Sequence, residues 1–477
     1  MARSHDGHKF LQITDAMVSI NQRVNLIGVV TESGLPKQSR GTDCFVTMRI
    51  IDESQPKHGI AVNFFTEKMD MLPQLATEGD IIQLSHVVMK THGPDAYALF
   101  NKKFSSFALY EGKNSTSFTP YQCSAKFNAR EQDNKFILGL RQWLAGEQID
   151  AGASVTGLMT GSTELLQLKE FKEGVRFNLV CKVLHAWETE REELMLYVWD
   201  GTDTPPIAIK SNLEDEKENP LPLHLEPIPL SRDVLCAFPP VGTVLRVTVD
   251  SSNVKFGLNY IKTGRWVKFL GLRCEVRSSL WCASLMPFTK FCYLLEDNDL
   301  VVQRKRSYDD RFYSKWGHMP LTSFPWHSGM TGTSCPKNTP FVTLMNVLTY
   351  PEVTYKYRCV VRVAAALPWE VSKFRSPSGI YRIRLTLEDP TARIHAFLYK
   401  EDAEEFFTHF PSPDDVLTRK WNSLLGIPKT GDCSAVGDAS RNPPWIECCL
   451  KSYYVDKKDA WGTRNYRIFM TTLLERP

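Results

Sequence analysis

Apolar and polar residues alternate along this chain in short stretches, and the pattern recurs three times. Val24–Val30 (VNLIGVV), Phe177–Leu184 (FNLVCKVL) and Tyr357–Val363 (YRCVVRV) are apolar runs of strand length. Each leads to a second segment with a period of two: Phe45–Asp52, Leu194–Gly201 and Ile380–Asp389. A period of two marks a strand with one buried face. Each second segment ends at an acidic residue near Gly, Pro or Ser, the composition of a turn. In the first copy, Ile60–Phe65 follows as a strand, Glu67–Leu75 as a short helix, then Ile81–Met89 and Ala98–Tyr110 as strands. In the third, Arg393–Tyr399 reads as a strand, Asp402–Phe410 as a helix, and Trp445–Val455 and Tyr466–Leu473 as late strands. Three strands, a helix and two strands is the order of the five-stranded Greek-key barrel called the OB-fold. The second copy differs in carrying a Pro- and acid-rich loop, Pro205–Pro229.

The predicted fold is therefore mainly β, with three tandem OB-fold barrels joined by short helical and loop linkers. The expected division is a first OB-fold at 8–125, a helical linker at 126–172, a second OB-fold at 173–306, a linker at 307–340 and a third, OB-fold-like domain at 341–477. Phe136, Leu140, Trp143 and Leu144 share one helical face and predict the first linker's helix. Ser307–Asn338 mixes charge, Pro, Gly and Ser and reads as a loose connection. A length of 477 residues suits about three domains.

Composition narrows the function classes. Hydrophobic residues make up 43% and charged residues 23%, as in a folded chain rather than a disordered one. No apolar run reaches the ~18 residues of a membrane helix, so no membrane partner is expected, and Met1–Lys9 lacks the apolar core of a secretory signal. None of the twelve cysteines forms a C-x-x-C pair, so reduced, mostly buried thiols are expected, with no metal and no cofactor. The sequon at Asn114-Ser115-Thr116 is read as chance. No P-loop, G-x-S-x-G or H-E-x-x-H is present, and no deaminase-type H-x-E with P-C-x-x-C, which argues against an enzyme. Asp200-Gly201-Thr202 and Glu388-Asp389-Pro390 read as turns, and Glu188–Glu193 and Glu214–Glu218 as exposed acidic loops.

What remains is binding. OB barrels hold single-stranded nucleic acid by stacking bases on aromatic rings in a positive groove, at ~1–3 kcal/mol per base. Met1–Pro120 has twelve Lys/Arg and twelve Asp/Glu, so binding there must rest on stacking and hydrogen bonds rather than bulk charge. Ser251–Lys290 has seven basic residues, Lys255, Lys262, Arg265, Lys268, Arg273, Arg277 and Lys290, against Glu275. Phe256, Tyr260, Trp266, Phe269, Trp281 and Phe288 are interleaved. The competing reading makes those aromatics a core face and the charges a solvated one. Arg304-Lys305-Arg306 reads either as a nuclear-import element or as a solvated loop.

At these positions the sequence resembles the protection-of-telomeres family. The first copy carries Gly41-Thr42-Asp43, Ile51-Asp52, Phe64-Phe65 with Pro73, Gly79-Asp80-Ile81 and Phe107–Gly112 (FALYEG). The second carries Val198–Pro205 (VWDGTDTP). The C-terminal part carries Leu385–Asp389, Trp445–Cys448, Lys451–Tyr453, Ile468-Phe469 and Thr471-Thr472. Length and the Lys37–Asp52 region are most similar to plant-type members. The resemblance implies binding of the single-stranded G-rich telomeric overhang, protection of chromosome ends in the nucleus and regulation of telomerase access. It implies that Phe65 stacks a base, that Asp43 accepts a hydrogen bond from a base edge and that Arg40 meets a phosphate. His92 falls where some members carry an aromatic. A core aromatic and a solvated loop histidine are the competing readings of Phe65 and His92. The family's second-barrel aromatics map to Arg176 and Val249, and Lys255, Arg265 and Lys268 are the compensating candidates. Tyr357–Asp389 runs through without the insertion and four-cysteine zinc site of vertebrate members. A different C-terminal partner follows, such as the telomerase ribonucleoprotein or the telomeric single-strand DNA complex that works with DNA polymerase α. A telomerase-associated accessory scaffold with weak DNA binding is the alternative, and an OB-bearing nuclease a second one.

Overall fold

The structure, a computed structural model, describes residues 9–39, 41–146, 164–188, 194–210, 230–249, 261–277, 279–313, 315–316, 319–320, 328–410, 415–428 and 440–474. Among them, the fold is mainly β, and strand pairings close three five-stranded rings. In the first, Arg23–Gly34 pairs with Cys44–Ile51, which pairs with Ile60–Thr66; Asp95–Phe100 and Ile81–His92 return the ring to Arg23–Gly34. The second runs Arg176–Glu188, Leu194–Trp199, Leu245–Val249, Leu280–Leu285 and Trp266–Arg277. The third runs Lys356–Leu367, Arg382–Glu388, Arg393–Tyr399, Arg464–Phe469 and Ile446–Tyr454. In every ring the third strand meets the last in parallel, the single parallel contact of the Greek key. In every ring a bulge falls between first and second strands, at Val30/Glu32, Val183/His185 and Val363/Ala365. An extra residue there bends the long first strand so that it closes the ring.

Each ring has its own apolar core. Leu26, Val46, Val62, Phe64, Leu84 and Phe107 fill the first, Phe177, Val198, Val247 and Phe269 the second, and Val361, Leu385, Leu398, Trp421 and Ile468 the third. The first two barrels share a sheet, since Ser33 and Gly34 pair with Phe291 and Lys290. Lys290 ion-pairs Glu32 across this junction, and Arg49 binds the same carboxylate at 2.9 Å. Burial alone would raise the Glu32 pKa, but the two cations outweigh it and hold it below the usual value.

One buried device is repeated in all three barrels. The residue directly after the second strand is Asp52, Asp200 or Asp389, each followed two residues later by Ser54, Thr202 or Thr391. One carboxylate oxygen accepts that residue's hydroxyl and amide, at 2.6–2.9 Å. The other accepts an N–H from the helical turn preceding the barrel: Ile13 at 2.8 Å, Leu168 at 2.9 Å or Leu344 at 2.7 Å. These are charge-assisted caps that pin each leading turn to its barrel. Burial pushes the Asp389 carboxyl up to about 6 against the hydrogen bonds from Thr391 and Leu344. Between about pH 4, the unfolded value, and 6, the folded chain keeps a proton that the unfolded chain has lost, so Asp389's contribution to stability falls as pH rises through that window. Asp389→Asn leaves the Leu344 N–H without its acceptor and removes the titration. Its deficit in thermal midpoint should be widest near pH 4 and narrow by pH 7, which melting curves at both pH values check.

Several elements differ from the sequence expectations. Glu67–Leu75 contains only the 3-10 turn Met69–Met71, because the chain is extended again at Leu72 ahead of Pro73. Ala98–Tyr110 is two strands, Asp95–Phe100 and Ser106–Tyr110, broken where the Asn101 and Ser105 backbones close a turn. The linker after the second barrel opens with a helix, Asp299–Tyr313, in place of a loose connection from Ser307. Arg304 lies on that helix and is buried, while Lys305, paired with Glu296, is exposed on it, so the segment is helical rather than a loop. A second helix, Asp415–Leu424, adds Trp421 to the third core. Cys335 and Cys449 are disulfide-linked, with Cα atoms 6.5 Å apart, an exception to the expected reduced thiols. Residues 214–218 lie outside the described residues. No helix among the described residues is long and apolar enough to cross a membrane.

Candidate nucleic-acid interface

Alternation decides which of the two adjacent phenylalanines faces out. Phe64 is fully buried, with Phe100 and Phe107 against its ring. Phe65 is therefore on the outer face, half-exposed, and the core-aromatic reading fails for it. Its register partner is Phe45, and the rings stack at 5.6 Å with 18° between their planes. Lys37 is the next partner in the row, its ammonium 4.7 Å from the Phe45 ring centre. Desolvation lowers the Lys37 pKa. One row toward the barrel centre, Thr47 donates to Asn63 at 2.7 Å, and Leu99 sits opposite Asn63. The face thus offers two stacked rings flanked by a cation and by amide and hydroxyl groups, which can hold a flat heterocycle and read its edge.

The other candidate residues separate from this cluster. Asp43 pairs with Lys102 at 2.9 Å, and Lys102 also approaches Glu67 at 3.5 Å, so the Asp43 carboxylate already has a cation. The hydrogen bond to Asp43 raises the Lys102 pKa. His92 is exposed and faces Asp95 at the far end of the sheet. Phe64 aligns with Phe100, so Phe65 and His92 are about six residues apart along the last strand, roughly 20 Å. Arg40 and Lys255 lie outside the described residues. Arg265 donates to the Ala76 carbonyl of the first barrel at 2.9 Å and lies over Tyr293. Lys268 lies close enough to Glu78 of the first barrel to offset part of its burial-raised pKa. The basic stretch is therefore divided: Arg265 and Lys290 bridge the barrels, Trp266 and Phe269 are core, and Arg273 and Arg277 flank Glu275.

Two features were not legible as a site. Lys37 donates to the Pro287 carbonyl at 3.1 Å, so the first barrel's row ends beside Phe288, a residue 47% exposed. Arg176 covers that ring at 4.7 Å and sits across from Arg273. A track of rings and cations thus runs from Phe65 through Phe45 and Lys37 to Phe288 and Arg176. Phe288 is the ring beside Arg176. By contrast, Tyr197 on the second barrel's second strand packs with Phe238 into the third barrel's core cluster, which closes that face to a ligand.

A family described as "Telomeric single stranded DNA binding POT1/CDC13" matches residues 5–150. "ssDNA-binding domain of telomere protection protein" matches 167–283, and "POT1A-like, OB fold domain" matches 326–459. Protection of telomeres protein 1a of Arabidopsis thaliana is 42% identical over 485 residues, covering 99% of this chain and 100% of that protein. The chain belongs to the protection-of-telomeres family. Protection of telomeres protein 1b of the same plant is 38% identical across 98% of both chains. The human protection of telomeres protein 1 is 28% identical over 38% of this chain and 26% of its own length. A solved fission yeast Pot1 with ssDNA matches at a TM-score of 0.27 and 18% identity, covering 64% of this chain and 96% of that one.

Proposed function

We propose that this chain is a non-enzymatic telomere end-protection protein that binds the single-stranded G-rich overhang in the nucleus. The observation that carries the reading is the outward Phe45–Phe65 stack with Lys37 on its edge. Bases held on such a face are withdrawn from nucleases and repair enzymes, and occupancy of the 3′ end governs telomerase access. We read the three rings as tandem OB-folds at 8–125, 173–306 and 341–477, joined by linkers at 126–172 and 307–340. Phe65 supplies stacking, while Asp43, Arg40, His92, Lys255, Arg265 and Lys268 are assigned to the DNA path. The third barrel is assigned to protein partners, either the telomerase ribonucleoprotein or the telomeric single-strand complex that serves DNA polymerase α. The deciding experiment is a binding titration with telomeric, permuted and unrelated oligonucleotides at two salt concentrations. Base reading predicts tight binding of the telomeric repeat alone, with a shallow salt slope at about −0.7 per phosphate contact.

One observation favours a second reading, a telomerase-associated scaffold with weak intrinsic DNA binding. Arg49 and Lys102 on the first barrel are paired with Glu32 and Asp43, and the twelve Lys/Arg of Met1–Pro120 are balanced by twelve Asp/Glu. That reading predicts no tight complex with any oligonucleotide at ~150 mM salt, yet recovery of telomerase in a pull-down.

A further inference from the structure

The three aspartates that end the second strands put the barrels in a common register. Phe45 lies seven residues before Asp52, and Arg382 lies seven before Asp389. Phe45 pairs with Phe65, and Arg382 pairs with Tyr399. Tyr399 therefore occupies in the third barrel the position that Phe65 occupies in the first. The correspondence extends around the ring. In the first barrel the adjacent row is Thr47, Asn63, Leu99, Val88 and Arg23. In the third it is Arg384, Phe397, Arg467, Lys451 and Lys356. A neutral row with one cation has become a row of four cations and a ring.

These side chains face outward and are accessible. Arg467 and Lys451 keep 27% and 31% of their side-chain surface, and Lys356 is exposed. Arg467 lies between two rings, 4.9 Å from the Tyr399 centre and 4.7 Å from the Tyr453 centre. The Lys400 ammonium lies 5.3 Å from the centre of the same Tyr399 ring. One acid enters the row: Asp402 pairs with Lys451 at 2.6 Å and approaches Arg467 at 3.9 Å. Four cations against one carboxylate leave a net excess. Nε of Arg384 and of Arg467 is buried without a hydrogen-bond partner among the described residues. Three cations on neighbouring strands about 5 Å apart, a fourth two strands away across Phe397, and tyrosines that can stack have the chemistry of a polynucleotide backbone site.

We infer that the outer face of the C-terminal barrel, through Lys356, Arg384, Lys451 and Arg467 with Tyr399 and Tyr453, is a second binding surface for single-stranded nucleic acid. It differs from the first-barrel site in kind. The first reads bases on stacked rings in a charge-balanced domain, whereas this one attracts phosphates and tolerates any sequence. A strand gripped at the N-terminal barrel would leave the C-terminal face free for a second segment or a second strand.

The test uses the full chain carrying Phe45→Ala and Phe65→Ala, so that the first barrel's stacking is removed. Oligo(dT) and oligo(U) of about 15 nucleotides are titrated from about 50 to 200 mM salt. Adding Lys356→Gln, Arg384→Gln and Arg467→Gln should make the salt slope shallower by about 2, at about 0.7 per phosphate contact, and cut affinity at least ~10-fold at the middle of the range. Because Arg467 also braces Tyr399, a second variant, Lys356→Gln with Arg384→Gln, leaves that stack intact and should lose about 1.4 of slope. Loss in the DNA arm, the RNA arm or both supports the surface, and the stronger arm names the strand. Unchanged slope and affinity in both variants overturn it. So does displacement of the oligonucleotide by polyglutamate as effectively as by unlabelled oligo(dT) at equal charge, which would assign the face to acidic proteins. The outcome is separable from the first-barrel reading, which stands or falls on sequence-specific binding by the chain with its phenylalanines intact.

Discussion

Phe65→Ala should weaken binding of a telomeric single strand by about 5- to 150-fold, the value of one stacked base at ~1–3 kcal/mol. The ring is outside the barrel, so its loss removes a platform and leaves the core filled by Phe64 untouched. Phe45→Ala should lose a similar amount, and the double variant less than the sum, because each ring holds the other in place at 5.6 Å. The salt slope should stay as in the wild type, since neither ring touches a phosphate. Phe64→Ala is the contrasting control. It should cost about 3–5 kcal/mol of stability and affect binding only through unfolding. Fluorescence anisotropy with a labelled telomeric oligonucleotide, beside melting curves of each variant, separates these outcomes. Unchanged affinity for Phe65→Ala would leave the N-terminal barrel as a docking platform for other proteins.

The sequence carried the strands well and the long-range electrostatics poorly, for one physical reason. Alternation is a local property, so Phe45–Asp52 and Arg393–Tyr399 announce their faces within a few residues. The same logic put one of Phe64 and Phe65 outside. Repetition of an aspartate at the end of each second strand was visible as a turn signal. Its capping of Ile13, Leu168 and Leu344 was not, because those amides lie 39, 32 and 45 residues away. Partner choice for charges is equally non-local. Lys102 reaches Asp43 across 59 residues, and Lys290 reaches Glu32 across 258. A count of basic residues in Ser251–Lys290 therefore could not reveal that Arg265 and Lys290 are turned to the neighbouring barrel. Phe45 was in plain view in its alternating strand, but only the register that sets it against Phe65 makes it part of a site.

Glu388→Ala should be the most destabilising single change in the C-terminal half. Glu388 ends the third barrel's second strand and is buried with two arginines, each with 2% of its side chain exposed. Arg362 donates Nε to its carboxylate at 2.7 Å, and Arg393 binds the other oxygen. Both arginines also reach into the second barrel, Arg362 to the Ile207 carbonyl at 2.7 Å and Arg393 to the Ser279 carbonyl at 2.8 Å. One carboxylate thus holds two cations that fasten two barrels together. Removing it strands two buried charges, at a cost of about 3–5 kcal/mol. Burial alone would raise the Glu388 pKa, but Arg393 and Arg362 outweigh it and hold it below the usual carboxylate value. Its contribution is therefore full above the unfolded value near pH 4 and is lost as pH falls through the lower folded value. Glu388→Gln should flatten the acid limb of the stability curve while sharing the loss at neutral pH. Replacing all three residues together with Met or Leu should restore most of the stability, because no buried charge is then left unpaired. The triple variant should nonetheless loosen the barrel-two contact, seen as faster hydrogen exchange at the Ile207 and Ser279 segments. A Glu388→Ala protein as stable as wild type would mean that water reaches the arginines and that the cluster is not the clamp its burial indicates.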